Sequence, residues 1–188
     1  MIAVRPRGPI TELLLDHLRR EPHDLPAITD GEVDAEDAAL ALAFCYELHY
    51  GRLAGVPDAW EWSPSLLAWR ARLEADLLGR VVAEVGPPRP ASPSAVREGL
   101  LALSNGDGPS LSGFMEERGT LEQMREFAIH RSGYQLKEAD PHTWAIPRVR
   151  GRAKAALVDI QVGEYGDARP AEIHAELFAR TMSMLGLD

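Results

Sequence analysis

Apolar residues recur along most of the chain at the three- and four-residue spacing of an α-helix, and no long stretch alternates apolar and polar residues as a strand would. Prolines and glycines divide this pattern into segments and mark their ends. We therefore predict an all-α bundle of about seven to eight helices. The predicted helices cover roughly residues 12–21, 35–50, 63–85, 93–105, 111–118, 120–139, 148–164 and 170–185.

Residues that can cap a helix support these boundaries. We expect Thr11 to cap the first helix, Asp34 to cap the second, and Thr120 with Gln123 to form a capping box at the start of the sixth. The proline-rich segment 86–93 is the clearest loop. We predict one helical domain over residues 1–188, in which this loop separates an N-terminal helical part (10–85) from a C-terminal part (93–186).

Charge and composition narrow the class of protein. The 188 residues carry a formal charge of −9, and 45% are hydrophobic, as in ordinary globular proteins. This acidic balance argues against nucleic acid or an anionic membrane as a partner. The longest apolar-rich stretch, residues 38–46, is too short to cross a bilayer, and no signal-peptide pattern is present. We expect a cytoplasmic protein.

Motif absences narrow the chemistry further. The sequence contains no His-Glu-x-x-His, Glu-x-x-His, Walker or Gly-x-Ser-x-Gly motif. The single cysteine, Cys45, excludes an intramolecular disulfide. Its position in an apolar helix favours a core residue over a nucleophile, and its solitary thiol fits a reducing compartment.

The last three predicted helices each place one possible metal ligand on their apolar stripe. The stripe of the sixth helix leads to Glu138, that of the seventh leads to Glu164, and that of the eighth begins at His174. Taken singly, each acid is readily explained as an ion-pair partner of a nearby arginine, and His174 as an ordinary core or surface histidine. Together, two carboxylates and one imidazole are ligands that iron or manganese accepts.

Several segments resemble the iron-containing redox enzymes of the haem-oxygenase-like di-iron oxidase and oxygenase superfamily. The most specific are Gln135–Arg148, Glu164–Gly166 and His174–Phe178, and weaker similarity covers Cys45–Tyr50 and Trp60–Trp62. The resemblance implies a helical bundle that binds no haem, with Glu138, Glu164 and His174 as iron ligands. His130, Tyr134 and Trp144 would line the pocket or contact those ligands.

The family's second set of ligands, a His-x-x-x-Asp-x-x-His motif on a later helix, does not occur before the final Asp188. We therefore expect an incomplete bundle that supplies half of a di-iron site, from a truncated, split or naturally shortened protein. An open bundle would expose an apolar face, which predicts a homo-oligomer or association with a missing C-terminal half.

Two functions remain open. The first is an O2-dependent oxidase or oxygenase that acts on a small molecule such as an amine, an amino acid or a fatty acid. The second is a metal-free helical binding or scaffold module that associates through its exposed apolar face. Bound iron would distinguish the two.

Overall fold

A computed structural model describes residues 5–28, 34–51, 53–105 and 108–187, and every regular element in these ranges is helical. This confirms the predicted all-α class and the number of helices. The α-helices are α1 (Pro9–Leu18), α2 (Ala35–Glu47), α3 (Pro64–Val85), α4 (Pro93–Ser104), α5 (Leu111–Arg118), α6 (Leu121–Gln135), α7 (Gly151–Glu164) and α8 (His174–Met184). Short 3₁₀ turns occupy Leu48–Tyr50, Asp58–Trp60, Asp140–Trp144, Ile146–Arg148, Gly166–Ala168 and Pro170–Glu172.

The chain forms two compact units, residues 1–98 and 99–188. The boundary falls inside α4, beyond the proline-rich loop where the sequence suggests a division.

The N-terminal unit has a well-packed apolar core between α1, α2 and α3. Leu14, Leu18, Phe44, Trp60 and Leu66 are at most 2% exposed and anchor this core. The indole N–H of Trp60 donates to the carbonyl of Arg20 at 2.7 Å, so its polar atom is satisfied inside the core. Cys45 also lies here, 3% exposed, which confirms that it is a core residue.

A buried carboxylate links α1 to α2. Asp37 is 1% exposed, and it accepts hydrogen bonds from the backbone N–H of Ile10 (2.8 Å) and Thr11 (3.0 Å) and from the Thr11 hydroxyl (2.5 Å). The predicted cap at Thr11 is therefore wrong, because α1 begins two residues earlier and Asp37, from another helix, binds its first N–H groups. The predicted cap at Asp34 is confirmed.

The C-terminal unit packs much less tightly. Only Ala128, Ala139, Gln161 and Gly166 are buried among its described residues. Helix α6 lies against α8, and the Nε of Arg125 donates to the carbonyl of Leu185 at 2.9 Å. Many large apolar side chains of this unit remain in solvent, among them Leu103, Ile129, Val158, Ile160, Val162 and Met184.

Three helix boundaries in this unit differ from the sequence-based prediction, and the first is the start of α7, at Gly151 instead of residue 148. The capping box of Thr120 and Gln123 is present, but α6 ends at Gln135, so Glu138 lies in the turn that follows. Helix α8 begins at His174, after a 3₁₀ turn. Gly166 makes this entry possible, because its φ is +67° and a Cβ there would lie 2.6 Å from the backbone of Glu172.

Candidate metal centre

The closest contact among the three predicted ligands joins the end of α7 to the start of α8. Glu164 is the last residue of α7 and His174 is the first of α8. The Oε2 of Glu164 lies 2.8 Å from the Nδ1 of His174, and the glutamate side chain is 19% exposed. This Oε2 atom is inaccessible to solvent, and His174 is its ion-pair partner, although the contact does not have the geometry of a hydrogen bond. The carboxylate therefore keeps a buried lone pair beside an imidazole nitrogen.

Glu138 lies in the turn after α6 and contacts a different partner. The negative charge of Glu138 is the main cause that raises the pKa of the Tyr134 hydroxyl, and hydrogen bonding to its carboxylate adds a smaller contribution. The charge of Glu164 raises the same pKa by a smaller amount, whereas Arg131 opposes the rise. Both acids thus act electrostatically on one phenol.

Two hydrogen bonds connect the turn that carries Glu138 to the end of α7. The Nε2 of Gln161 donates to the carbonyl of Ala139 at 2.7 Å, and the hydroxyl of Tyr165 donates to the Oδ1 of Asp140 at 3.0 Å. The residues next to Glu138 are therefore held by the residues next to Glu164. Burial raises the pKa of Tyr165, and its bond to Asp140 adds to this effect, so the phenol stays a donor at neutral pH.

An open groove of about 290 Å³ lies beside these residues. Glu138 and His174 both line it, together with the polar side chains of Gln135 and Thr181 and the apolar side chains of Leu177 and Phe178. The Oε1 of Gln135 is a second buried oxygen without a hydrogen-bond partner in the described part of the chain. The groove thus combines an apolar wall with one buried oxygen that has no hydrogen-bond partner in the described residues.

The expectation that the three ligands lie on buried helix faces is wrong. His174 is exposed, Glu138 and Glu164 are half-buried, and Ile160 on the same stripe as Glu164 is 54% exposed. Across residues 5–28, 34–51, 53–105 and 108–187, no three His, Cys, Asp or Glu side chains form a group that could hold a metal ion. The described residues therefore cover these ligands only in part.

The three predicted pocket residues lie in different places. Tyr134 is the tyrosine whose pKa is raised by the charge of Glu138. The His130 side chain is 75% exposed and lies 3.8 Å from Glu126, so it points into solvent. Trp144 lines a second, almost wholly apolar groove of about 560 Å³, whose other walls come from Thr143, Ile146, Pro147 and Lys154.

Sequence reasoning missed Gln135 and Gln161. Each is three residues before a predicted ligand, one helical turn away, so each shares the ligand's side of its helix or turn. A glutamine three residues before a predicted ligand is the sequence signal that could have identified each of them. The two amides differ in role: Gln135 lines the groove, whereas Gln161 positions the turn that carries Glu138.

The residues fit an iron ion by donor chemistry. Two carboxylates and one imidazole suit iron, and adjacent ligands at about 2.1 Å from one ion lie roughly 3 Å apart. The 2.8 Å contact between Glu164 and His174 is close to that value. The third donor, Glu138, lines the same groove as His174 and would have to turn from the Tyr134 hydroxyl, whose pKa it raises, toward the metal.

These features describe a helical protein with a candidate carboxylate and histidine metal centre. Residues 125–188 match the model of a family described as iron-containing redox enzyme. The match confirms the resemblance over the region that contains Glu138, Glu164 and His174, and supports oxidoreductase chemistry at the level of the family. No curated protein and no solved structure shows significant similarity to the chain. No helix in the described ranges is both long and apolar enough to cross a membrane.

Proposed function

We propose that this chain supplies half of a non-haem di-iron centre in an O2-dependent oxidase or oxygenase for small molecules. Glu138, Glu164 and His174 are the proposed iron ligands. The observation that carries the proposal is the 2.8 Å contact between the Oε2 of Glu164, which is closed to solvent, and the Nδ1 of His174, within the region that matches the iron-containing family. Carboxylates this close to an imidazole need a proton or a cation between them.

The chain's own residues perform three tasks in this proposal. Glu164 and His174 are the two of the three proposed ligands that already lie in contact, and Gln161 with Tyr165 holds the turn that carries the third, Glu138. Leu177 and Phe178 exclude water from one wall of the groove. When bound, iron would supply the activation of O2. A small molecule with an apolar part would lie against Leu177 and Phe178.

The second set of ligands would come from outside these residues, because the sequence contains no His-x-x-x-Asp-x-x-His motif. The exposed apolar side chains of the C-terminal unit support a partner surface. We propose that a second copy or a further C-terminal segment covers them. Sedimentation at several concentrations tests the first alternative, since a second copy would give a concentration-dependent dimer.

Anaerobic loading with Fe(II), followed by removal of free metal and a count of bound iron, tests the ligand assignment. We expect bound iron in the parent chain and its loss in Glu164→Gln and His174→Ala. Glu138→Gln should weaken iron binding less, because the Glu138 carboxylate interacts with the Tyr134 hydroxyl and has to leave it before it can bind iron. Glu176→Gln is the matched control, since Glu176 is an exposed acid in the first turn of α8.

A folded parent chain that binds no iron, or equal iron in the parent and in Glu164→Gln, would contradict the ligand assignment. Circular dichroism of each variant shows whether the helices persist. A loss of iron in Glu176→Gln as large as that in Glu164→Gln would point to nonspecific binding by the acidic surface.

The second candidate function is a metal-free helical binding or scaffold module. Two observations favour it: the exposed apolar side chains of the C-terminal unit and the lack of a three-ligand group in the described ranges. In this case the chain associates with equal affinity in Fe(II) and in a chelator. Ile160→Lys should then weaken association, because it places a charge on an exposed apolar position of α7.

A further inference from the structure

A pair of histidines outside the proposed iron site forms the shortest contact between two imidazole rings in the described residues. His17 lies in the last turn of α1, and His23 follows six residues later. The Nδ1 of His17 is 2.7 Å from the Nε2 of His23, and the ring centroids are 5.0 Å apart. Both residues belong to the N-terminal unit, outside the region that matches the iron-containing family.

The backbone that carries His23 is held in place by the core. The indole N–H groups of Trp60 and Trp69 donate to the carbonyls of Arg20 and Pro26 at 2.7 and 2.6 Å. The hydroxyl of Ser65 donates to the carbonyl of His23 itself at 3.0 Å. The imidazole of His23 also contacts the Trp60 ring edge to face at 5.3 Å. The position of His23 relative to α1 is therefore fixed by packing.

The hydrogen bonds define which ring nitrogens carry protons. The Nδ1 of His23 is 2.7 Å from the carbonyl oxygen of Glu21, and a carbonyl can only accept, so this nitrogen carries the hydrogen. In the neutral ring, the Nε2 of His23 then has a lone pair, which faces the Nδ1–H of His17. One proton thus lies between two imidazole nitrogens.

We propose that His17 and His23 chelate a divalent transition-metal ion, with Zn²⁺ as the representative case, in place of this shared proton. Imidazole nitrogens are ligands that zinc, nickel and copper prefer. Two nitrogens at about 2.0–2.1 Å from one tetrahedral ion are roughly 3.3 Å apart. The two nitrogens therefore have to move apart by about 0.6 Å from their 2.7 Å contact, and the rings have to turn until both lone pairs meet the ion. A histidine ligand usually donates its other N–H to a carbonyl, as His23 does to Glu21.

The proton balance of binding is simple. The Nε2 of His23 already offers its lone pair. His17 changes tautomer: its proton leaves Nδ1, and solvent supplies one to Nε2, so the pair stays neutral and two coordinated waters leave the ion. The remaining coordination positions keep water, which suits a site in which His23 is exposed and His17 half-buried. The charge of neighbouring Arg20 is already balanced by an ion pair with Asp16.

Nuclear magnetic resonance of the histidine rings tests this proposal directly. The full chain carries Glu164→Gln and His174→Ala, so that the proposed iron ligands cannot compete, and it is titrated with ZnCl2. We expect the ring nitrogens of His17 and His23 to shift together and to saturate at one zinc per chain. The protonated nitrogen of His17 should change from Nδ1 to Nε2, a signature that a merely structural pair would not produce.

Three variants in the same background measure the contribution of each ring. His17→Gln and His23→Gln should each weaken zinc binding by about tenfold or more, whereas His130→Gln, which alters an exposed histidine of the other unit, should leave it unchanged. Unmoved signals of His17 and His23 at saturating zinc would overturn the proposal. So would equal affinity in the parent and in both ring variants. If a histidine variant fails to fold, the zinc titration of the background chain with Glu164→Gln and His174→Ala still tests whether His17 and His23 bind the ion.

Discussion

The two units of this protein contain similar helices but bury them very differently. The N-terminal unit encloses one apolar cluster that includes three leucines of α1, Phe44 and Trp60. The C-terminal unit buries no large apolar side chain among its described residues, although its helices carry many. Capping residues are present in both units. Local signals therefore form helices in both, and only the first supplies enough apolar neighbours to cover its own faces.

A matched pair of tryptophans gives the largest expected contrast. Trp60→Ala removes a fully buried ring and should cost about 3–5 kcal/mol of unfolding free energy. Trp144→Ala removes a ring that is 39% exposed and should cost clearly less. Chemical denaturation followed by circular dichroism, with hydrogen exchange to separate the units, measures both. Equal costs would mean that the C-terminal unit has a core of its own.

The reactivity of Cys45 sharpens the same contrast. Burial raises the pKa of its thiol to about 12, so at pH 8 its thiolate fraction should be roughly a thousandfold below that of an ordinary thiol. We expect slow reaction with a disulfide reagent in the folded chain and fast reaction after denaturation. A chain with Cys45→Ser and Ser183→Cys is the control, because Ser183 is exposed on α8. Equal rates for the two thiols would contradict a closed N-terminal core.

The same shift predicts a loss of stability at high pH. The raised pKa means that the folded state binds the Cys45 proton more tightly than the unfolded state does. Unfolding therefore releases a proton between the ordinary thiol value and about 12, and the unfolding free energy should fall as pH rises through this window. Cys45→Ser should remove this part of the alkaline slope, as urea titrations at several pH values would show.

The buried carboxylate of Asp37 should have an intermediate effect. Asp37→Ala leaves the N–H groups of Ile10 and Thr11 without their acceptor and should cost about 2–3 kcal/mol. Asp34→Ala removes a more exposed cap of α2 and should cost only about 1 kcal/mol. Urea denaturation of the two variants compares them. If Asp34→Ala proves the more destabilising, the proposed link between α1 and α2 is wrong.

Substitution of Gln161 should have the smallest effect on the free energy of unfolding, and this effect should be confined to the turn that Gln161 holds. Gln161→Ala removes the donor to the carbonyl of Ala139 and should cost about 1 kcal/mol. Hydrogen exchange should speed up around residues 139–143, and iron affinity should fall because the turn that carries Glu138 loosens. Gln123→Ala, in the capping box of α6, is the control and should leave exchange at 139–143 unchanged.

Much of the fold was predictable from the sequence because helices are defined over short distances. Periodicity identified the helices of both units, and Asp34 and Thr120 begin their helices as expected. Thr11 was misassigned because the cap of α1 comes from Asp37, which lies 26 residues later in the chain. No local pattern records such a contact.

For the candidate site too, the sequence predicted some features and missed others. From the sequence, Glu138, Glu164 and His174 are predicted ligands, and the resemblance to iron-containing redox enzymes is confirmed over residues 125–188. The sequence missed that α6 ends before Glu138, and it could not foresee the hydrogen bonds of Gln161 and Tyr165 that hold the intervening turn.

The sequence by itself determined the helical class, the main caps and the identity of the donor atoms, because helix propensity, capping and side-chain chemistry act within a few residues. Only the tertiary structure decided which donors meet and which apolar faces are covered. Those outcomes depend on the path of the chain beyond a single helical turn. The pair of Glu164 and His174, and that of His17 and His23, follow from that path.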